Sequence, residues 1–266
     1  MKPIIVLICD TLPPAVVSAH GAYDVLFTTL FRASASALGL SPDTITIQAF
    51  DVVEKMEYPN KEDLDACAGV LLTGSKASAY EDIEWINKLV QFTASLASDR
   101  PTLKIVGICF GHQIIGRALA GRVIKNDGKW EVGPTPLQLT PLGKQVFGSE
   151  ELNIQEMHQD IVPEVPPQFH LLGSTNVAAN QGMVRFVGGG APPSPLSLAD
   201  IHILTVQGHP EFTAPIISIL ADLRGKAGIL TPELLEDVAR RSQWRNDGAT
   251  VAGTTILKML GVMKDR

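Results

Sequence analysis

Four short stretches rich in β-branched and other apolar residues, 4–9, 67–72, 103–108 and 201–206, constrain this chain more than any other feature. The first, Ile4-Ile5-Val6-Leu7-Ile8-Cys9, is apolar at every position. A strand with one face in water alternates apolar and polar residues, so an unbroken apolar run reads as a strand covered on both faces, as in a parallel sheet. Residues 43–50 add a further strand, with Ile45 and Ile47 alternating with polar neighbours and the apolar pattern running on into Val52 and Val53. Helical stretches at about residues 23–38, 81–96 and 110–120 separate these strands, and Gly121 stands where the last of them would need a left-handed cap. Strand alternating with helix predicts an α/β fold, doubly wound around a mostly parallel sheet.

Between residues 123 and 186 the texture changes. Short apolar segments at 137–139, 170–173 and 183–186 are separated by Pro and Gly turns, which predicts small antiparallel strands added to the sheet edge. The Gly/Pro-rich stretch 188–195 reads as an inserted surface loop. Beyond it, Thr213 is placed to cap a helix reaching residue 223, and Thr231-Pro232-Glu233 opens another with a cap, a first-turn proline and an acid near the positive end of the dipole. A last amphipathic stretch spans about 251–263. The expected division is one domain over 1–225 and a helical extension, 226–266, packed on or near it.

At 266 residues, 45% apolar and 19% charged, the chain suits one large globular domain. A net charge of -6 without a dense Lys/Arg run argues against nucleic acid and for a small-molecule substrate. No run of about 18 apolar residues could span a bilayer, and no signal-type cleavage site follows residues 4–9, so a cytoplasmic location is expected. Three cysteines, at 9, 67 and 109, form neither a disulfide framework nor a zinc-binding spacing.

One of these cysteines carries the chemistry. Gly107-Ile108-Cys109-Phe110-Gly111-His112-Gln113 lies between a predicted strand and a predicted helix and has the G-x-nucleophile-x-G form. Small residues flank such a nucleophile because the strand-to-helix turn is too tight for side chains, and the helix N-terminus favours the thiolate. A thiol nucleophile needs a base and the base an orienting group. His209 and Glu211, two apart at the end of a predicted strand, project to one face if the segment is extended, a conformation that Pro210 favours for His209. His158, in Met157-His158-Gln159-Asp160, has an acid at the same spacing but falls in the irregular region, which makes it the weaker base. His112 fits a structural role better than a catalytic one, while His20, His170 and His202 read as surface or edge residues. For an oxyanion hole, the Gly74 N–H in Thr73-Gly74-Ser75 would pair with that of Phe110, the residue after the nucleophile.

Together these segments resemble the class I glutamine amidotransferases, whose glutaminase domains combine a G-x-C-x-G-x-Q elbow with a later H-P-E segment, here Gly107 to Gln113 and His209 to Glu211. The likeness extends to Leu72-Thr73-Gly74-Ser75, Met157-His158-Gln159-Asp160 and Asn180-Gln181, so it covers about residues 1–225. The resemblance implies a flavodoxin-like sheet, with 1–225 as the catalytic domain, and hydrolysis of a γ-glutamyl amide through a thioester on Cys109. It also implies substrate contacts from Gln113, His158 and Asp160, and no metal or organic cofactor. With only ~40 residues beyond the matched part, too few for a synthase domain, the chain is most similar to the stand-alone GMP-synthase-like branch, which includes γ-glutamyl peptidases acting on glutathione conjugates. Three readings stay open: a self-contained γ-glutamyl hydrolase, a glutaminase subunit supplying ammonia to a separate synthase partner, and a catalytically silent regulatory protein. A redox or chaperone protein of the related cysteine-elbow superfamily would have histidine where Phe110 stands. A papain-like protease would carry its cysteine on a helix near the start of the enzyme, not after a mid-chain strand.

Overall fold

The computed structural model describes residues 2–262. Its strands are β1 (Ile4–Ile8), β2 (Ile47–Asp51), β3 (Gly69–Leu72), β4 (Lys104–Ile108), β5 (Ile124–Lys125), β6 (Glu131–Leu139), β7 (Leu152–His158), β8 (Asp160–Ile161), β9 (His170–Ser174), β10 (Gly182–Phe186) and β11 (Ile201–Val206). Its helices are α1 (Pro14–His20), α2 (Tyr23–Ala37), α3 (Lys61–Ala66), α4 (Glu84–Asp99), α5 (Phe110–Ala118), α6 (Pro141–Phe147), α7 (Ala214–Lys226), α8 (Pro232–Arg241) and α9 (Thr254–Met259), the last preceded by a π-helical turn, Gly248–Gly253. Nine strands form one mixed sheet in the order β2-β1-β3-β4-β11-β10-β9-β6-β7. The five from β2 to β11 run parallel, in the doubly wound order of a flavodoxin-like sheet, and the other four are added antiparallel on the β11 side. No helix among the described residues is long and apolar enough to cross a membrane.

The apolar runs of β1 and β3 follow from this architecture. Ile4 and Val6 of β1 and Leu71 of β3 belong to the core on one face, with α2, α7 and α9. Ile5, Leu7, Val70 and Leu72 face the other, with α4 and α5. Successive residues of a strand point to opposite faces, so a strand with a core on each side must be apolar throughout. Residues of α8, the π-helical turn and α9, among them Val238, Ala252, Ile256 and Leu257, join the first of these cores.

Several local expectations change. The second strand begins later than its alternation suggests, because Pro42–Thr44 forms a single 3-10 turn. The left-handed residue after α5 is Ala120 (φ 68°) and not Gly121. Gly121 is needed for closeness instead: its N–H donates to the Gly116 carbonyl at 2.8 Å, where a Cβ would also come within 2.8 Å of that oxygen. Helix α6, capped by the Thr140 hydroxyl accepting from the Gly143 N–H, is an element the sequence did not announce. His202 is buried in β11, not at the surface, and burial pulls its imidazole down to about 4. The last helix ends at Met259, and Met263, the expected end of that stretch, lies outside the described residues.

The largest correction concerns His158. It closes β7, a buried strand, where an irregular segment was expected. In the β6–β7 ladder it stands opposite Glu131, and its Nε2 lies 3.2 Å from Glu131 Oε2 and 3.3 Å from Glu156 Oε2. Its Nδ1 donates to the Asp160 carbonyl at 3.2 Å. Glu131 is held in turn by the Thr175 hydroxyl at 2.7 Å and the Gln181 amide at 2.6 Å. Burial alone would lower the histidine's pKa, but the two carboxylates override it and raise it to about 10, so the ring is an imidazolium at neutral pH. Burial pushes the Glu156 carboxyl up, an effect His158 only partly offsets.

Removing one member of a buried ion cluster strands the others, so His158→Gln should cost about 3–5 kcal/mol near neutral pH. The pH dependence has a definite sign. The raised histidine contributes stability that is whole below its unfolded pKa of 6.5 and is lost as pH rises towards about 10. Without the imidazolium, the raised carboxyl of Glu156 makes stability fall as pH rises above 4.5, because the folded form keeps a proton that the unfolded form has released. Urea midpoints at pH 4.5 and 6.5 should therefore drop more steeply for the variant than for wild type; parallel changes would contradict a charged cluster.

Candidate functional site

The chain leaves β4 and turns sharply into α5 at Cys109, whose backbone sits at φ 51° and ψ -101°. Non-glycine residues adopt such a conformation only when their surroundings hold them there. Here the Cys109 N–H donates to the Val206 carbonyl at 3.0 Å and the Gly111 N–H to the Thr73 carbonyl at 3.1 Å. Gly111 has no room for a side chain, since a Cβ would come within 2.3 Å of the Leu72 carbonyl oxygen. The helix that begins at Phe110 is thereby pressed against the ends of β3 and β11, with Cys109 at the carboxyl edge of the parallel sheet. Cys9 and Cys67 lie elsewhere in the core, and burial pushes both thiols up, that of Cys9 to about 12.

His209 follows the end of β11. Its N–H donates to the Gln155 carbonyl of β7 at 2.7 Å, and its ring stacks on Phe212 at 4.1 Å between centroids. Nδ1 lies 2.8 Å from Glu211 Oε1, and the Cys109 side chain acts on the same imidazole. Burial opposes a charge on this imidazole, but Cys109 and Glu211 outweigh burial and raise its pKa to about 10. The closeness of His209 and Glu211 has a different backbone origin from the one expected. The segment is not extended through Glu211: the Phe212 N–H donates back to the His209 carbonyl at 3.2 Å, and this turn brings the carboxylate to Nδ1 at the ring edge.

Gly74 touches the same ring. A Cβ there would stand 2.6 Å from His209 Cε1 and 3.4 Å from the Tyr23 hydroxyl oxygen. Among the described residues, neither the Gly74 N–H nor the Phe110 N–H donates a hydrogen bond within the chain. Gln113 is buried, and its amide donates to the Asp160 carbonyl at 2.9 Å and to Gln207 Oε1 at 3.2 Å. A polar cavity of about 200 Å³ brings Cys109, Gln113, His158 and Asp160 together with Lys125. His158 lines its wall with both ring nitrogens engaged, and burial pushes the Asp160 carboxyl up. His112 points away into the core, its Nδ1 2.8 Å from the Thr205 hydroxyl, and burial lowers it to about 3. Among the described residues no group of three His, Cys, Asp or Glu side chains is arranged to hold a metal ion.

Two contributions escape the sequence patterns. Arg224, near the end of α7, lines the cavity and lies over the Trp130 ring at 4.8 Å; as a basic residue in a last helical turn it carries no signal beyond dipole stabilisation. The segment before the π-helical turn braces the histidine loop: Asn246 Nδ2 donates to the Phe212 carbonyl at 3.0 Å, and Gly248 packs so closely that a Cβ would meet the Pro210 carbonyl oxygen at 2.3 Å.

Comparison with known proteins agrees with this arrangement of the sheet. The profile of the family described as "Glutamine amidotransferase class-I" matches residues 23–215. A glutamine amidotransferase-like protein of Schizosaccharomyces pombe is 33% identical over 258 residues, covering 97% of this chain and 98% of its own length. Gamma-glutamyl peptidase 3 of Arabidopsis thaliana is 32% identical over 173 residues, 62% of this chain and 63% of its own. Among solved structures, a glutamine amidotransferase from Thermotoga maritima superposes with a TM-score of 0.65 at 16% identity, covering 98% of this chain and 99% of that one, a likeness of fold alone. By fold and by the span of the family match, the chain belongs to the class-I glutamine amidotransferase family.

Proposed function

We propose that the protein is a cysteine-dependent hydrolase that releases glutamate from γ-glutamyl amides through a γ-glutamyl thioester. The observation that carries this reading is Cys109, held at positive φ on a strand-to-helix elbow, together with its electrostatic coupling to a histidine whose Nδ1 is bonded to Glu211. The names of several relatives, including the plant γ-glutamyl peptidases at about 30% identity, support the choice of acyl group.

In this reading His209 carries the proton of the Cys109–His209 pair. The sulfur attacks the amide carbon, a C–S bond forms and the carbonyl oxygen takes up negative charge next to the Gly74 and Phe110 N–H groups. Collapse breaks the C–N bond, and the leaving amine takes the proton from His209 Nε2. Water, deprotonated by the now neutral imidazole, then attacks the thioester; glutamate departs and the proton returns to the Cys109–His209 pair. Glu211 fixes the tautomer and orientation of the ring throughout. In the small cavity, Lys125 and Asp160 present opposite charges to the α-carboxylate and α-ammonium of the glutamyl group, and Gln113 fixes that wall through the Asp160 carbonyl.

Cys109→Ala should lower glutamate release from γ-glutamyl substrates by about 10⁴-fold or more. Rapid quenching of the wild-type enzyme should trap a glutamyl group on Cys109 by mass spectrometry; turnover that survived the substitution would sink the reading. Because the imidazolium persists up to about pH 10, kcat/KM should hold through the weakly alkaline range and decline only as pH approaches that value. A decline centred near 6.5, the ordinary histidine value, would mean that Cys109 and Glu211 do not hold the proton.

Gly74→Ala should separate folding from chemistry. Its Cβ would collide with His209 Cε1 at 2.6 Å, and displacing the ring by about 1 Å should reduce kcat by about 10²-fold. Circular dichroism should report an unchanged fold, and a fully active Gly74→Ala would show that the ring does not have to occupy this position.

A further inference from the structure

A second cavity, of about 620 Å³, opens on the other side of the reacting atoms. His209 and Phe212 form part of its wall, and Leu12, Pro13, Leu220 and Leu223 make much of the remainder apolar. The two cavities meet at a seam formed by Ser75, Lys76, Met157, Arg224 and Ile229, which line both. Cys109 lines only the small one and His209 only the large one. This asymmetry orients the substrate. In the reaction proposed above, on which this inference rests, the acyl group ends on the sulfur and the leaving nitrogen takes its proton from the imidazole. The acyl group therefore belongs in the small polar cavity and the leaving amine in the large apolar one. Ammonia would leave almost all of that volume and its apolar lining unused.

The charges at the seam narrow the amine further. Lys76 Nζ is paired with Asp10 at 3.2 Å, and Lys125 and Asp160 already offer the small cavity a cation and an anion. Arg224 is a surplus cation. Among the described residues it forms no ion pair; it is half-buried and laid over the Trp130 ring. A guanidinium at the border of an apolar cavity suits a carboxylate, which it can grip with two parallel N–H bonds. We propose that the larger cavity is a leaving-group site for an amine that carries both an apolar side chain and a free carboxylate, with Arg224 binding the carboxylate. A γ-glutamyl dipeptide whose second residue is large and apolar has this chemistry, and neither glutamine nor a simple γ-glutamyl alkylamide has.

The test compares glutamate release from γ-glutamyl-phenylalanine, from γ-glutamyl-phenethylamide, which lacks only the carboxylate, and from glutamine. The wild-type chain should favour the dipeptide over the phenethylamide by about ten-fold or more in kcat/KM, the value of one charge-assisted contact. It should favour the phenethylamide over glutamine by a similar factor, from burial of the ring. In Arg224→Gln the ratio of dipeptide to phenethylamide should collapse towards one, and Arg224→Lys should restore part of it. As a check that needs no variant, phenylalanine should inhibit the wild-type reaction more strongly than phenethylamine. If Arg224→Gln weakens both γ-glutamyl substrates equally, the arginine serves the glutamyl half and the proposal is overturned. A wild-type chain that prefers glutamine also overturns it, while leaving the hydrolase reading intact. If none of the three substrates yields glutamate, that reading itself fails and takes this inference with it.

Discussion

The contact between the start of α5 and the end of β3 sets the geometry on which the rest of the site depends. Gly111 sits against the Leu72 carbonyl with no space for a side chain, and its N–H closes onto Thr73. So close an approach forces the reversal at Cys109 and leaves that residue at positive φ, a conformation that costs of order 1–3 kcal/mol. The bonds from the Cys109 N–H to Val206 and from the Gln113 N–H to the Cys109 carbonyl hold it there. Because β3, β4 and β11 are adjacent parallel strands, their carboxyl ends bring Gly74, Cys109 and His209 to one edge without any long loop having to reach across. The strain is local, and the sheet that bears it is covered by a core on both faces.

Two buried histidines lie near that edge, and their surroundings separate them. His158 has both ring nitrogens committed, one to a carbonyl and the other between two carboxylates, so it has no lone pair or mobile proton to offer a substrate. Its charge is structural: it allows Glu131 and Glu156 to be buried in the β6–β7 ladder. His209 has one carboxylate on Nδ1, and in the proposed reaction its proton can move when the Cys109 sulfur forms a bond to carbon. The two clusters also touch. Gly208, next to His209, lies where a Cβ would meet Glu156 Oε1 at 2.5 Å, so the carboxylate that neutralises His158 also supports the backbone that presents His209.

How much of this was legible depended on whether a residue's role could be expressed in its near neighbours. The parallel strands were readable because cores on both faces leave no place for polar residues in β1 and β3. Strand β7 was not, because Gln155, Glu156 and His158 are polar residues buried in the sheet, and such residues in a sequence resemble a loop. Strand β6 was recognised only at its end, since Pro134 and Pro136 interrupt the pattern. Cys109, His209 and Glu211 could be singled out because the elbow and the H-P-E segment are local. That the histidine and glutamate meet through a turn, and not along an extended strand, was beyond the sequence, because the Phe212-to-His209 hydrogen bond is a choice made by tertiary packing.

That packing comes from the far end of the chain. Asn246 holds the Phe212 carbonyl, the Asp247 carboxylate accepts from the Asn153 N–H of β7 at 2.8 Å, and Gly248 closes onto Pro210. The Ser34 hydroxyl of α2 donates to the Ala249 carbonyl at 2.9 Å, which ties the same turn to the helix that begins with Tyr23 beside Gly74. A residue that orients a general base must hold it to within a fraction of an ångström. A four-residue turn could not do so unaided. The C-terminal segment is therefore better understood as the outer wall of the histidine loop than as an appendage, and a sequence more than thirty residues downstream takes part in holding the backbone that carries His209.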